Sequence, residues 1–240
     1  MRIDVKHESF KLAQVFTISR GSRTQADVLT VRVSDGVHQG WGECVPYARY
    51  GETLDSVTAE IAGLPANVMR ETLHTLLPAG AARNAVDCAL WDLAAKQAGK
   101  RVWDLLGVPA PTPEITAYTL SLDTPDAMQA QAAKHAARPL LKIKLGTPDD
   151  MARLEAVRRG APRSRIIVDA NEGWTADVYA DLAPHLIRLG VQMVEQPLPA
   201  SADDMLGEIA RPLPVCADEA CHDRTSLPAL KGKYDMVNIK

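Results

Sequence analysis

The segment Leu140-Leu141-Lys142-Ile143-Lys144-Leu145 indicates the fold, because it belongs to a series of short apolar runs separated by helix-like segments. The runs occupy residues 116–120, 140–145, 166–168, 191–194, 214–217 and 236–239. Alternating strand and helix patterns favour βαβ units with a parallel sheet. The sequence therefore predicts an α/β protein whose second part is a (β/α) barrel of the TIM type.

Charged residues mark the ends of five of these six predicted strands. The second strand carries two lysines, and each later strand closes on one charged residue, so that the set is Lys142, Lys144, Asp169, Glu195, Asp218 and Lys240. Any one of them, taken alone, could be a solvated strand end. In a barrel, however, the carboxyl ends of all strands face one mouth, where active sites of this architecture lie. We therefore expect these side chains to converge.

The three acids predict a metal site. Three carboxylates at one mouth repel each other unless a cation lies among them, and a ligand set made only of oxygen favours Mg²⁺ over zinc or copper. Asp169, Glu195 and Asp218 are the predicted ligands.

The lysines predict proton transfer. Lys142 and Lys144 are two residues apart on one strand and share a face, and their proximity is expected to lower at least one of the two pKa values. In an eight-stranded barrel, Lys144 on strand two and Lys240 on strand six would stand on opposite walls. One could take an α-proton from a substrate carboxylate and the other return it to the opposite face, with Lys142 and the metal stabilising the intermediate charge. That is the chemistry of a racemase or epimerase.

The part of the chain before residue 107 predicts a different kind of unit. Residues 28–33 and 38–43, joined by Asp35-Gly36, are typical of an antiparallel hairpin. A helix is expected over residues 81–98, with apolar side chains at three- and four-residue spacing. Because residues 107–113 contain three prolines and a glycine, we place a boundary there. The predicted domains are an α+β capping domain, 1–108, and a barrel domain, 109–240.

Composition excludes several classes of function. The chain has 240 residues and a formal net charge of −3, which gives no reason to expect nucleic acid or an acidic membrane surface as a partner. No apolar run approaches the roughly 20 residues of a membrane span, and the charged N-terminus does not resemble a signal peptide. Cytoplasm is the expected location. The four cysteines lack metal-binding spacing and are expected to be reduced thiols.

Several motifs along the whole chain resemble the enolase superfamily. They include Arg20-Gly21-Ser22-Arg23, Gly40-Trp41-Gly42-Glu43, Arg49-Tyr50-Gly51-Glu52, Lys142-Ile143-Lys144, Asp169-Ala170-Asn171, Glu195-Gln196-Pro197, Asp218-Glu219 and Asn238-Ile239-Lys240. The lysine–acid–acid–acid–lysine set is similar to that of the muconate-lactonising subgroup. The Arg-Gly-Ser-Arg stretch and the residues around Tyr50 resemble dipeptide epimerases within it.

This resemblance implies an isomerase that uses Mg²⁺ to epimerise the Glu residue of L-Ala-D/L-Glu dipeptides in murein peptide metabolism. Lys144 and Lys240 would be the acid/base pair, and Lys142 would assist them. Arg23 would meet the glutamate side-chain carboxylate, Tyr50 and Thr119 would line the pocket, and the capping domain would act as a lid. The implied partner is a small dipeptide carboxylate, and a homo-oligomer is compatible with the sequence.

The sequence departs from this family at its end, and two alternatives stay open. The chain stops at Lys240 with six predicted strands instead of eight. We therefore expect a barrel truncated after the sixth strand, without the later acidic residues that would bind the substrate ammonium group. The enzymatic alternative is an o-succinylbenzoate synthase, an N-acylamino acid racemase or a muconate-type cycloisomerase. The other is a non-catalytic barrel fragment.

Overall fold

The structure, a computed structural model, describes residues 1–239. It divides into two compact units. The first comprises Met1–Ala13 and Gln25–Pro113, and the second comprises Gln14–Thr24 and Glu114–Lys240. Within the described part of the chain, no helix has the length and apolar character needed to cross a membrane.

The first unit is built on a three-stranded sheet in the order β1-β2-β3. Its strands are β1 Arg2–Ile18, β2 Gly21–Ser34 and β3 Gln39–Cys44. The antiparallel pairing of β2 with β3, in which Val33 lies opposite Gly40, confirms the predicted hairpin. β1 was not predicted, because all of its residues are exposed or half-buried and its apolar and polar side chains alternate poorly.

Helices cover this sheet and complete the core of the first unit. They are α1 Leu54–Ala62, α2 Arg70–Leu76, α3 Ala81–Ala98 and α4 Val102–Leu106. The predicted helix over residues 81–98 is confirmed as α3, whose buried side chains include Val86, Ala89 and Leu93. α3 is capped at its C-terminus by Gly99, which has the left-handed φ of 62° that glycine adopts without strain.

The second unit contains a six-stranded parallel sheet in the order β4-β5-β6-β7-β8-β9. The strands are β4 Tyr118–Leu120, β5 Leu140–Lys144, β6 Arg165–Asp169, β7 Val191–Glu195, β8 Val215–Ala217 and β9 Met236–Val237. All six predicted runs therefore form strands, and each strand pairs with the next along the chain.

The connections between these strands shorten towards the end of the chain. The helices are α5 Pro125–Lys134, α6 Asp150–Gly160, α7 Ala176–Arg188 and α8 Leu227–Leu230. Between β7 and β8 there is only a single 3-10 turn at Asp204–Gly207, because prolines interrupt this segment. The even strand-plus-helix spacing expected from the sequence thus holds for α5 to α7 and weakens after them.

Alternation along the strands separates the core from the site. Leu141 and Ile143 are fully buried and belong to a cluster that includes side chains of α5, α6 and α7. Lys142 and Lys144 occupy the intervening positions of β5, so they project from the opposite face of the sheet. The strand that anchors the core therefore also presents the lysines.

Candidate functional site

The candidate site lies at the carboxyl ends of three neighbouring strands. Lys144 of β5 pairs in register with Asp169 of β6, which pairs in turn with Glu195 of β7. Residues paired in register in a parallel sheet project from the same face. Because the three strands end at this row, their last side chains meet there.

Lys142 lies between two of the acids. Its Nζ is 2.9 Å from Asp169 Oδ2 and 2.6 Å from Glu195 Oε2. Burial opposes the charge of this ammonium, but the attraction of Asp169 and Glu195 is greater, and the pKa of Lys142 lies above its usual value. For Lys142 this is the opposite of the lowering expected from its proximity to Lys144, because the two carboxylates outweigh the neighbouring lysine.

Lys144 is held by a different pair of acceptors. Its Nζ donates to Asp169 Oδ2 at 2.6 Å and to Asn171 Oδ1 at 3.0 Å, and the residue is only 8% exposed. The Phe16 ring, from the segment at the tip of the β1–β2 hairpin, has its centroid 6.0 Å from the same ammonium. The lysine therefore has a fixed orientation in a largely dry environment.

The carboxylates influence one another as well as the lysines. Burial raises the pKa of Glu195 to about 7, and repulsion from Asp169 and Asp218 adds to the effect of burial. Burial also disfavours the charge of Asp169, but Lys144 and Lys142 outweigh it, and the pKa of Asp169 is lowered. The two acids thus differ because Lys142 and Lys144 both contact Asp169, whereas among the lysines of residues 1–239 only Lys142 contacts Glu195.

Asn238 connects the third acid to this row. Its Nδ2 donates to Glu195 Oε1 at 2.9 Å and to Asp218 Oδ1 at 3.0 Å. The backbone N–H of Asp218 donates to Gln196 Oε1 at 2.9 Å. The structure therefore brings all three predicted acids to one side of the sheet. Lys142 bridges Asp169 and Glu195, and Asn238 bridges Glu195 and Asp218.

The three carboxylates are suitable ligands for a hard cation, and in this arrangement the Lys142 ammonium supplies positive charge next to two of them. The oxygen-only donor set, and the repulsion that raises the pKa of Glu195, both fit a divalent ion such as Mg²⁺. As the side chains lie here, no three His, Cys, Asp or Glu residues among 1–239 converge into a ready-made metal cage. The Lys142 ammonium instead contacts two of the three carboxylates and offsets part of their charge.

The backbone after β6 and β7 takes up unusual conformations. Asn171, Glu172 and Gln196 have φ values of 46°, 66° and 33°, in the left-handed region that residues other than glycine seldom adopt. Such conformations cost about 1–3 kcal/mol each and cluster at functional sites. Here they turn the chain sharply after Asp169 and Glu195.

The remaining predicted site residues occupy varied places. Thr119 of β4 pairs in register with Lys142, which puts it on the same face of the sheet. Arg23 is exposed on β2 within the segment that belongs to the second unit. Tyr50 lies in a 3-10 turn of the first unit, with its ring centroid 5.6 Å from that of Tyr47 in an edge-on arrangement. Lys240 lies outside the described residues.

Sequence reasoning missed the residues that support the site, chiefly Arg20, Asn171, Gln196, Glu219 and Asn238. One of them carries a readable signal, because Asn238 stands two residues before Lys240. Strand alternation could have placed it on the face expected for that lysine. Asn171 lies beyond the end of β6 in a left-handed turn, which strand alternation does not predict. Arg20 and Gln196 give no such signal, because their contacts depend on loops.

The sequence matches two family descriptions over most of its length. Residues 2–107 match the mandelate racemase / muconate lactonizing enzyme N-terminal domain, and residues 127–240 match the enolase C-terminal domain-like family.

Individual relatives agree with these matches. The chain is 47% identical over 244 residues to an L-Ala-D/L-Glu epimerase of Escherichia coli K12, covering 99% of this chain and 76% of that one. It is 44% identical over 220 residues to an N-acetyl-D-glutamate racemase of a Pseudoalteromonas species, covering 89% and 69% of the two chains.

Solved structures also match. An enolase family member from Agrobacterium tumefaciens with homology to dipeptide epimerases, solved with bound sodium and L-Ala-L-Glu, is 51% identical with a TM-score of 0.95. That match covers 99% of this chain and 74% of the other. Three dipeptide epimerases solved with Mg and a dipeptide, from Cytophaga hutchinsonii, Enterococcus faecalis and Methylococcus capsulatus, share 27 to 29% identity at TM-scores of 0.84 to 0.89. They match over 95 to 99% of this chain and 67 to 73% of their own.

Proposed function

The chain belongs to the mandelate racemase / muconate lactonizing enzyme family of the enolase superfamily, and from that membership we propose that it moves a proton on and off the carbon next to a carboxylate. The proposed substrate is an L-Ala-D/L-Glu dipeptide, whose glutamate residue is epimerised. The observation that carries the proposal is the row of Lys144, Asp169 and Glu195 at adjacent strand ends, with Lys142 beside it.

The acids are proposed to hold Mg²⁺. Asp169, Glu195 and Asp218 would be its ligands, as their oxygen donors and mutual repulsion favour. When bound, the ion supplies positive charge that offsets the charge developing on the substrate carboxylate. Solved dipeptide epimerases that contain Mg support this assignment.

Lys144 is proposed as the base for one face of the substrate. Its Nζ, fixed by Asp169 and Asn171, takes the α-proton of one epimer and returns a proton when the reaction runs backwards. Lys240 is proposed to do the same from the opposite face. Lys142, whose pKa is raised, stays charged at neutral pH and acts as a fixed cation for the developing negative charge.

The substrate-binding residues follow from the same proposal. Exposed Arg23 would meet the glutamate side-chain carboxylate, which a guanidinium fork suits. Thr119, next to Lys142 on the same face, would line the pocket, as would Tyr50.

The larger architecture is also part of the proposal. The consecutive order of β4 to β9 supports a (β/α) barrel wall, with residues 1–108 as a capping domain and 109–240 as the barrel domain. A cytoplasmic location, a role in murein peptide turnover and a homo-oligomeric state rest on the sequence pattern and the family resemblance alone.

A second candidate substrate is an N-acylated glutamate, because the Pseudoalteromonas relative of similar identity is an N-acetyl-D-glutamate racemase. The two candidates share the lysines and acids and differ in the group on the glutamate nitrogen.

A substrate panel separates these candidates. L-Ala-L-Glu, L-Ala-L-Leu and N-acetyl-L-glutamate are offered with Mg²⁺, and inversion is followed by polarimetry or chiral chromatography. We expect kcat/KM to be greatest for L-Ala-L-Glu, and Arg23→Ala to raise KM for that substrate far more than for L-Ala-L-Leu. Preference for N-acetylglutamate would establish the second candidate, and equal effects of Arg23→Ala on both dipeptides would remove Arg23 from the site.

A further inference from the structure

The turn between β1 and β2 donates hydrogen bonds to the loop after β6, whose Asn171 contacts Lys144. Arg20 lies in this turn, within the segment that belongs to the second unit. Its Nη1 donates to the Asn171 carbonyl at 2.7 Å, and its Nη2 donates to Glu219 Oε1 at 2.7 Å. Nη1 also lies 3.2 Å from Glu172 Oε2. One guanidinium thus joins the loop after β6 to the loop after β8.

Neighbouring contacts hold the same loop in place. Ser19 Oγ donates to the Asn171 carbonyl at 3.0 Å, so this oxygen accepts from two consecutive residues of the turn. Asn171 Nδ2 donates to Glu219 Oε1, the same oxygen that Arg20 contacts, at 3.3 Å. Both ends of the Asn171 residue, its carbonyl and its amide group, are therefore tied into one network.

This network ends on the proposed base. The other atom of the Asn171 amide group, Oδ1, accepts from Lys144 Nζ at 3.0 Å. Because Asn171 has a left-handed φ of 46°, its conformation costs free energy and must be imposed by its surroundings. The contacts of Ser19, Arg20 and Glu219 are among those that hold it, together with the Asn171 N–H that donates to Asp169 Oδ1.

We propose that Arg20 is a positioning residue, which acts through Glu219 and Asn171 to set the direction of the Lys144 ammonium. The inference rests on the proposed function for the role of Lys144 as a base. The Arg20 guanidinium donates to three acceptors of the protein itself, so its proposed role is to orient the base. Exposed Arg23 is proposed instead to contact the substrate. Arg20 and Arg23, three residues apart, thus have separate tasks.

The first test reads the two faces of the substrate separately. In Arg20→Met, epimerisation of L-Ala-Glu should slow about 10- to 100-fold in both directions, as expected for a misplaced catalytic group, with KM changed less than about threefold. Lys240 is the proposed base for one of the two epimers. For that epimer, exchange of the α-proton with solvent deuterium should persist without inversion, so the ratio of the exchange rate to the epimerisation rate should rise at least tenfold. For the other epimer both rates should fall together.

Matched variants sharpen this result. Arg163→Met removes an exposed arginine from the turn before β6 and should leave both rates unchanged. Arg20→Lys keeps the charge but lacks the fork, and should recover only part of the loss. If Arg20 and Glu219 act in one network, Glu219→Gln should add little to the loss in Arg20→Met. Equal loss of exchange on both faces, or a change in KM alone, would overturn the proposal.

The second test needs no substrate and no metal. Hydrogen–deuterium exchange of the Asn171, Glu172 and Gly173 amides reports on the loop, since each donates within the site: to Asp169 Oδ1, the Gln196 carbonyl and the Ala170 carbonyl, respectively. Arg20→Met should raise deuterium uptake there, and Arg163→Met should not. If the unmodified protein exchanges no α-proton with any substrate, the proposed function fails. The deuterium uptake of the loop amides still tests the role of Arg20, because unchanged uptake in Arg20→Met would overturn it.

Discussion

At the scale of single residues, Lys142 explains why the acids can lie so close together. Its ammonium contacts Asp169 and Glu195, and the chain thereby stabilises a pair of buried carboxylates that would otherwise repel each other. Asp218 is joined to Glu195 by the neutral amide of Asn238, which donates to both acids. Because a neutral amide adds no positive charge, a cation bound beside these two acids would stabilise both of them.

Replacing Asp218 tests the metal site directly. Asp218→Asn keeps the shape of the side chain but removes one of three negative charges, so Mg²⁺ affinity measured by isothermal titration calorimetry should fall at least about 100-fold, more than is usual for loss of an outer contact. Asp181→Asn removes an exposed carboxylate of α7 and is the control, with affinity expected to be unchanged. Equal affinity in both variants would take Asp218 out of the ligand set.

Some residues of the site could be predicted from the sequence, and others could not. Lys144, Asp169 and Glu195 follow from strand period and strand ends, because register places them in one row. Asn171 and Gln196 depend on left-handed turns that non-glycine residues rarely adopt. Sequence patterns carry no signal for such turns, since tertiary contacts impose them.

At the scale of elements, β3 and α3 of the first unit approach each other unusually closely. A Cβ added at Gly42 would lie 2.0 Å from the Ala85 carbonyl oxygen, and one at Gly40 would lie 2.0 Å from the Ala89 carbonyl oxygen. Ala85 and Ala89 are fully buried. The glycines of the strand and the alanines of the helix therefore allow two backbones to pack directly together.

This packing predicts a large effect of a single methyl group. Gly42→Ala should destabilise the protein by about 1–3 kcal/mol, because the helix must move away from the strand, and the loss is measured by urea denaturation. Gly63→Ala is the matched control, since its Cβ would make only an ordinary 3.4 Å contact and its φ of −76° suits alanine. A Gly42→Ala loss no larger than that of Gly63→Ala would contradict the close approach.

The elements also show which signals in a sequence are reliable. The β4 to β9 runs were predicted because each is short, apolar and bounded by breaking residues. The 17-residue β1 was missed because much of it is exposed, so its pattern lacks a buried face. The helix-poor links after β7 and β8 were missed because even spacing of charged residues does not require a helix in every interval.

At the scale of the whole molecule, the two compact units differ in how they are built. The first relies on an antiparallel sheet covered by α3, and the second on a parallel sheet whose core lies against its helices. The proposed catalytic and metal-binding side chains that the structure describes all belong to the second unit. That unit also includes the tip of the β1–β2 hairpin, with Arg20 and Arg23.

Some features of the whole molecule could be predicted from the sequence, and others could not. The class of the fold, the order of strands and the charged row could be argued from the sequence, because they follow from periodicity. The inclusion of residues 14–24 in the second unit could not, since no local pattern marks a hairpin whose tip belongs to a different unit from its base.

Proton NMR of L-Ala-L-Glu in D₂O with the protein and Mg²⁺ tests the proposed proton transfer most directly. We expect loss of the glutamate α-proton signal together with the appearance of L-Ala-D-Glu, and neither change when Mg²⁺ is removed by a chelator. Mg²⁺ binding shown by calorimetry, with the α-proton signal unchanged over the same period, would contradict proton transfer at this carbon.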